Sequence, residues 1–565
     1  MTEPRTTIRV GVLCNGTTFE RWQADAIRHV LTVPGVDLVV LVVNDKKART
    51  DRSFLQKLTH YPFRTALYRQ YRKRWSKPDA MVNEDLSELF TTVPQLKCIT
   101  QGNSAVDRFD QEDLNAIAAY APDVLLRFGF NILQGGILRL PTYGVWSFHH
   151  GDPTKFRGGP PAFWEIMEGD PVTGAVLQRL SESLDAGQIL RQGWFKTIDH
   201  GHTETLDAVL SNSAIWPAQV MREFLAGNTA AATGPTPLEK GKLYRYPGNF
   251  KFLGFLRKRM ANKARFHSID LNRHEEWNIG ILPQSIDTLL EENPSLNVRW
   301  LPAPGAGTFR ADPFGCIAQD GALNVLYEKF EHSLNRGDLA RIRPKPDNTL
   351  KRSRTMLKTE KHLSYPYVVT HNNTVYVIPE SAAEGNVSLY RVNDANEGLD
   401  FIKILLDEPL FDPTVFQHDG RWWLMGTKAP LTNVTLYAYW SNDLEGPYTA
   451  HTLNPIKFDI RSARPGGTPF QKGNELWRPA QDSSKTYGGR IAMNRVLVLT
   501  PDQFKEETVS YVEPFKNTHY GQGVHTISAI GDMTLVDGKR YVTVPERKKA
   551  IRTRKLQKLN RNRLE

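Results

Sequence analysis

Residues Tyr143 to Leu190 read YGVWSFHHGDPTKFRGGPPAFWEIMEGDPVTGAVLQRLSESLDAGQIL, and they decide how the first third of the chain folds. An apolar run ends in Ser147, Phe148 and His149, so a polar ring leaves the carboxyl end of a buried strand. Gly158, Gly159 and the Pro160-Pro161 pair then turn tightly into a helix whose first backbone N–H groups lack intrahelical acceptors. Such an elbow serves as a rigid turn or as a ligand contact. Asp185 follows on a loop beside Gly187. Taken singly, a His at a strand end is most often a satisfied polar residue, and an Asp beside Gly a turn residue.

Upstream, IRVGVLC, DLVVLVVN and DVLLRFGF are continuous apolar runs, as expected of strands covered on both faces, and ADAIRHVLTV between them has helical spacing. This β-α-β rhythm predicts an open, mostly parallel α/β sheet that binds ligands beyond the carboxyl ends of its strands. The first strand runs into CNGTTFERW without a GxGxxG, which disfavours a dinucleotide site. Helical spacing from Thr203 to Leu225 marks the last helices, and GNTAAATGPTP breaks the pattern. We therefore place a first domain at 1–232 and a basic connector at 233–277. The stretch KGKLYRYPGNFKFLGFLRKRMANKARF in that connector reads as a domain-bridging helix, with a membrane-surface helix as the alternative.

The Tyr143–Leu190 stretch resembles the folate-dependent formyltransferase family, which includes methionyl-tRNA formyltransferase, glycinamide ribonucleotide formyltransferase and the sugar N-formyltransferases. That family's pattern is a strand ending in Asn-x-His, a loop with Arg-Gly and a Pro opening a helix, then Thr-Gly, then an Asp-x-Gly loop. Here the matching residues are Ser147-Phe148-His149, Arg157-Gly158-Gly159-Pro160, Thr173-Gly174 and Asp185-Ala186-Gly187. The resemblance covers roughly residues 7 to 225. It implies a Rossmann-like formyltransferase fold, 10-formyltetrahydrofolate as cofactor, His149 and Asp185 as catalytic residues, and Arg157 and Gly158 near the substrate. It also places the pteridine beside Arg127, Phe128, Gly129 and Phe130.

Formyl transfer needs such groups, because an amine attacks the formyl carbon, an oxyanion forms, and protons leave one nitrogen and reach another. A donor must face the oxyanion and a carboxylate must manage protons. His149 fits the first role and Asp185 the second. Ser147 stands where the family has Asn; a hydroxyl offers one donor where an amide offers two, and one oxyanion donor is worth about 10²- to 10³-fold in rate. Ser147 itself, His150 or a water can take that place.

From Asn278 onward the chain reads as hairpins: LNVLYEKF, PYVVTHNNTVYVIPE, TVFQHDGRWWLMGT, TLYAYWS and DMTLVDGKRYVTV, with Asn-Asn, Asp-Gly and Asp-Gly at the turns. This predicts an all-β domain over 278–545, a five-bladed β-propeller. It resembles the furanosidase-type propellers of arabinanases and β-xylosidases. Closer still is the propeller preceding the glycosyltransferase of glucosamine inositolphosphorylceramide transferases. The hydrolases converge acidic residues in a central funnel for acid/base work on a glycosidic bond. Asp312, Glu380 and Asp412, in RADP, PES and FDPT, are the candidates here; Asp-Pro also occurs simply as a turn. Trp422, Trp423, Trp477 and His525 are weaker candidates for sugar contacts, since aromatic residues on blades are usually core.

No stretch approaches the roughly 18 to 20 uninterrupted apolar residues of a membrane helix, and the start has no signal-peptide pattern, so we expect a cytoplasmic enzyme. Three scattered cysteines give neither disulfide nor metal spacing. The net charge of +11 is concentrated in the tail 546–565, where Arg547 to Arg563 holds nine basic residues. Without interleaved aromatics this does not point to nucleic acid; it is a solvated end or a contact with the inner membrane face. The leading reading is N-formyl transfer to an amino sugar, small or lipid-linked, in polysaccharide or glycolipid biosynthesis. The rivals are a carbohydrate-active propeller beside a degenerate transferase domain, and a non-catalytic assembly protein docked through its tail.

Overall fold

The computed structural model describes residues 7–45, 63–101, 106–182, 187–228, 241–318, 321–345, 353–393 and 397–542. The tail 546–565 and Asp185 lie outside them. The chain divides into two compact units, Met1–Lys263 and Ala264–Glu565.

The apolar runs of the first unit become strands β1 (Ile8–Cys14), β2 (Val36–Asn44), β3 (Gln95–Cys98), β4 (Val124–Arg127), β5 (Val145–His149), β6 (Val172–Arg179) and β7 (Gln188–Lys196). They form one sheet in the order β7-β6-β5-β4-β1-β2-β3. The first five are parallel; β6 and β7 add an antiparallel edge. Helices α1 (Arg21–Leu31), α2 (His202–Ser213) and α3 (Trp216–Leu225) follow the predicted periodicities. Trp22 of α1 packs with Leu206 and Leu210 of α2 on one side, while Leu13, Val40, Leu125 and Val145 pack with Ile117 on the other. Both sheet faces are thus covered, which is why the strands read as unbroken apolar runs.

Strand order reverses at β1, which lies between β2 and β4, and the crevice at such a switch point is where an open α/β sheet binds ligands. The backbone N–H groups of Phe128 and Gly129 both donate to the Leu13 carbonyl, at 2.9 and 2.8 Å, tying the end of β4 to β1.

The segment 233–277 is divided by the structure. Helix α4 (Asn249–Arg265) buries Phe252 and Phe255 against Tyr68, Tyr71 and Phe163 of the first unit, so it is packed as a core helix of that unit. Farther on, His274–Leu282 is a strand of the second unit, ahead of the predicted start at 278.

Among the described residues of the second unit, five antiparallel sheets follow one another, the blades of a propeller. Thr308–Ile317, Ser364–His371, Phe411–His418 and Phe470–Lys472 open four of them. The fifth takes strands from both ends of the domain: His274–Leu282 pairs with Met533–Val542 in unbroken register from His274↔Val542 to Leu282↔Thr534. The two ends of the domain therefore close the ring together. In three blades the opening strand carries the same irregularity, with Asp312, Tyr365 and Asp412 at φ 52°, 44° and 51°, each before a proline and each at a register shift. Left-handed backbone at a non-glycine residue is costly, and its recurrence identifies a blade repeat that side-chain identity hides.

Asn372-Asn373 and Asp419-Gly420 form hairpin turns as read, with positive φ at each residue. Asp537-Gly538 does not: both lie inside the strand Met533–Val542, and Asp537 is fully buried. Trp422, Trp423 and Trp477 are core residues of three clusters.

At Gly467 the chain runs beside Ile527, and a Cβ there would stand 1.6 Å from the Ile527 carbonyl oxygen at φ +129°. Gly467→Ala is expected to lower propeller stability by about 2–3 kcal/mol or more, read as a reduced urea midpoint by tryptophan fluorescence.

Candidate active site

A cleft opens at the carboxyl ends of β4 and β5 and is lined by Arg127, Ile132, Leu133, Ser147, Phe148, His149, Gln178, Leu180, Ser181 and Gly187. Parallel pairing sets Arg127 opposite Ser147, and antiparallel pairing sets Gln178 opposite Ser147 from the other side. Three polar side chains thereby share one row across three strands. Arg127 Nη1 donates to Ser147 Oγ at 3.0 Å, while Nη2 donates to the carbonyls of Phe130 and Asn131 at 3.2 and 2.8 Å. The guanidinium is thus fixed by the loop that leaves β4. His149 Nε2 lies 3.1 Å from the Phe156 carbonyl, which sets the ring plane. Behind it His150 meets Ser213 Oγ at 3.2 Å and packs edge-on to Trp22; enclosure, with His149 as a smaller cause, pushes its pKa down to about 3. His150 is therefore neutral.

Of the sequence candidates, Ser147, His149 and Arg127 meet in this cleft. Phe128 packs with Phe19, Trp22 and Phe148. Gly129 lies against Cys14, and Phe130 packs on Phe109. Arg157 and Gly158 sit in a short strand, Phe156–Gly158, paired in parallel with Lys242–Tyr244. Gly158 has φ +82°, and a Cβ there would come 2.2 Å from the Tyr244 carbonyl, so its glycine is required by that pairing. Gln178, Leu180 and Ser181 escaped the sequence reading, because only the register of β6 on β5 brings them to the cleft.

In the propeller, Asp312, Glu380 and Asp412 are all buried and lie within electrostatic reach of one another. Arg464 grips Asp412 with two nitrogens, at 2.6 and 3.0 Å, and its Nη2 lies 3.7 Å from Glu380. Gln481 donates to the same Asp412 at 2.7 Å. Glu328 joins the cluster from the neighbouring strand, and burial with four nearby carboxylates raises its pKa strongly. Burial and Asp412 push Glu380 up to about 8; burial pushes Asp312 up to about 6 against the pull of His525. His525 stacks on Trp277, with Nδ1 2.5 Å from Asp537 and Nε2 3.5 Å from Asp312. Burial opposes its charge, but Asp537 and Asp312 outweigh that and its pKa is raised. The Asp312, His525 and Asp537 ligand atoms lie within 4.8 Å of one another, a set that can hold a metal ion. Sequence spacing hides Glu328, Arg464, Gln481 and Asp537, which reach the centre from different blades.

Each unit matches a family model: residues 36–215 match the family described as formyl transferase, and residues 293–544 that described as glucosamine inositolphosphorylceramide transferase 1, N-terminal. Among individual proteins, the chain is 32% identical over 248 residues to glucosamine inositolphosphorylceramide transferase 1 of Oryza sativa subsp. japonica, covering 41% of this chain and 33% of that protein. The Arabidopsis thaliana protein of the same name is 30% identical over 210 residues, 36% of this chain and 27% of its own. Methionyl-tRNA formyltransferase of Halalkalibacterium halodurans is 30% identical over 139 residues, 24% of this chain and 40% of its own. The chain thus spans about a third of the plant relatives it matches. Among the described residues, no helix is long and apolar enough to cross a membrane.

A carboxyl whose pKa rises on folding stabilises the fold below its unfolded value, and that contribution is lost as pH rises through the folded value. For Glu380 the window runs from 4.5 to about 8. Propeller stability should fall across it, and Glu380→Gln should flatten that fall in urea melts at pH 5 and pH 8.

Proposed function

We propose that this protein transfers a formyl group from 10-formyltetrahydrofolate to the amine of an amino sugar, carried on a glycan or glycolipid precursor that the propeller holds. The observation that carries this reading is the convergence of Ser147, His149, Arg127 and Gln178 on one cleft of a formyl transferase domain. The likeness of the propeller to the plant glycolipid transferases supports a lipid-linked sugar as acceptor.

The amine attacks the formyl carbon, and the carbonyl oxygen takes up charge. His149, at the end of β5, faces that oxygen. Ser147 replaces the amide of the family pattern with help from its neighbours: its oxygen accepts from Arg127, so its own hydrogen is left to donate. Its nearest other acceptor, the Phe148 carbonyl, is 3.5 Å away and weak. The adjacent cation also makes the hydroxyl a stronger donor. Gln178 brings an amide to the same cleft. Asp185 would take the proton of the attacking amine and pass it on to the folate nitrogen as that nitrogen's bond to the formyl carbon breaks.

A second reading, cleavage of a glycosidic bond in the propeller, is favoured by Glu380, a carboxyl held protonated beside Asp312 and Asp412.

The deciding assay supplies the full chain with 10-formyltetrahydrofolate and a panel of aminodeoxy sugars and glucosamine-bearing glycolipids, with products read by mass spectrometry. Wild type is expected to formylate at least one amine. His149→Ala should lower the rate about 10²- to 10³-fold. Ser147→Ala and Arg127→Gln should each lower it as well, because the first removes the hydroxyl and the second leaves it unoriented. If no amine is formylated and a glycoside is cleaved in a reaction that Asp312→Asn abolishes, the second reading replaces the first.

A further inference from the structure

Helix α4 has two faces. Phe252, Phe255 and Asn262 are buried on one, whereas Phe250, Leu253, Arg257 and Met260 form a stripe on the other, with Phe250 92% exposed and Met260 73%. A large apolar side chain left in water is ordinary when alone, but a group of them on one surface marks a contact.

The stripe continues onto a second segment. Asn249, at the start of α4, accepts from the Leu67 backbone N–H at 3.1 Å and donates to the Phe63 carbonyl at 2.8 Å. Phe63 and Leu67 are themselves exposed, at 60% and 42%, so four large apolar side chains, Phe63, Leu67, Phe250 and Leu253, surround this junction. Arg72 donates to the Tyr246 hydroxyl at 2.7 Å, and Arg69 lies over the same ring, pinning the two segments farther along.

The two segments that carry the patch have charge of one sign. Phe63–Lys77 contains six basic residues and Lys242–Lys263 seven, and neither contains an Asp or Glu. Exposed Phe, Leu and Met set among Lys and Arg on an amphipathic helix fit an interface that is apolar at shallow depth and anionic at its surface. Nucleic acid would use the cations but not Leu253 and Met260.

We infer that this face of the first unit docks on an anionic lipid bilayer, with Phe63, Leu67, Phe250, Leu253 and Met260 entering the headgroup boundary and the surrounding Lys and Arg pairing with lipid phosphates and carboxylates. The inference is independent of the reaction assigned to the cleft.

The test is co-sedimentation of the full chain with vesicles of phosphatidylcholine alone or with phosphatidylserine added. Binding is expected only with the anionic vesicles. The double variant Phe250→Glu/Leu253→Glu should weaken it at least about tenfold, the scale of losing two inserted apolar side chains, with an unchanged thermal midpoint because both side chains are exposed. Lys251→Glu/Arg257→Glu should weaken it and reduce its salt dependence. Three results would overturn the inference: no binding to either vesicle, equal binding by wild type and the Phe250→Glu/Leu253→Glu variant, which would assign attachment to the basic tail, or binding to single-stranded RNA that those two apolar substitutions leave unchanged.

Discussion

A charged group buried where strands meet has to be paired, and both units are organised around that requirement. In the first, the Arg127 guanidinium at the end of β4 is satisfied by two carbonyls of the loop that follows and by Ser147 on the next strand. Those bonds curl the loop back over the strand end and so shape the cleft. In the second, Asp537 sits in mid-strand with no exposure and accepts from the backbone N–H groups of Asp312, His525 and Thr526. Because Asp537 belongs to the closing blade and Asp312 to the next, one carboxylate joins the ring where the ends of the domain meet. Removing one partner from such a buried arrangement costs about 3–5 kcal/mol, far more than a surface pair contributes.

The same requirement limits what the propeller centre can do. Both Asp412 oxygens are held by Arg464, and one also accepts from Gln481, so this carboxylate has little capacity left for a ligand. Asp312, Glu328 and Glu380 face it and one another, with Asp537 close by and Arg464, His525 and His362 beside them, and so many negative charges cannot all be held there together. Burial and this crowding raise the pKa of Asp312, Glu328 and Glu380, and their titration belongs to the cluster rather than to any one residue.

Much of this was legible in the sequence, and the rest was not for definite reasons. IRVGVLC, DLVVLVVN and DVLLRFGF could be read because strands buried on both faces leave no alternation to confuse with a helix. Ser147 and His149 could be found because motif and strand end coincide. Gln178 could not, since its row is set by the pairing of β6 with β5, which no local pattern encodes. The Asp537-Gly538 pair was misread because Asp-Gly carries the same signal in a turn and in a strand that lends its Asp to a buried network. There Gly538 leaves room for Trp300 and Tyr520. Arg464 and Glu328 belong to different blades, so their meeting with Asp412 follows only from ring closure.

The make-up of the cleft bears on how an acceptor would be chosen under the proposed reaction. The cleft's polar lining is confined to Arg127, Ser147, His149, Gln178 and Ser181, so under the proposed reaction these few groups would orient a formyl group and an amine but would not read a whole acceptor. One amine differs little from another at that distance, and discrimination has to come from groups remote from the reacting atoms, whose binding energy lowers the barrier only if it holds the nitrogen in line for attack. Attachment of the first unit to a lipid surface would act in the same direction for a lipid-linked sugar, because confinement to a shared surface raises the local concentration of acceptor without requiring any contact inside the cleft.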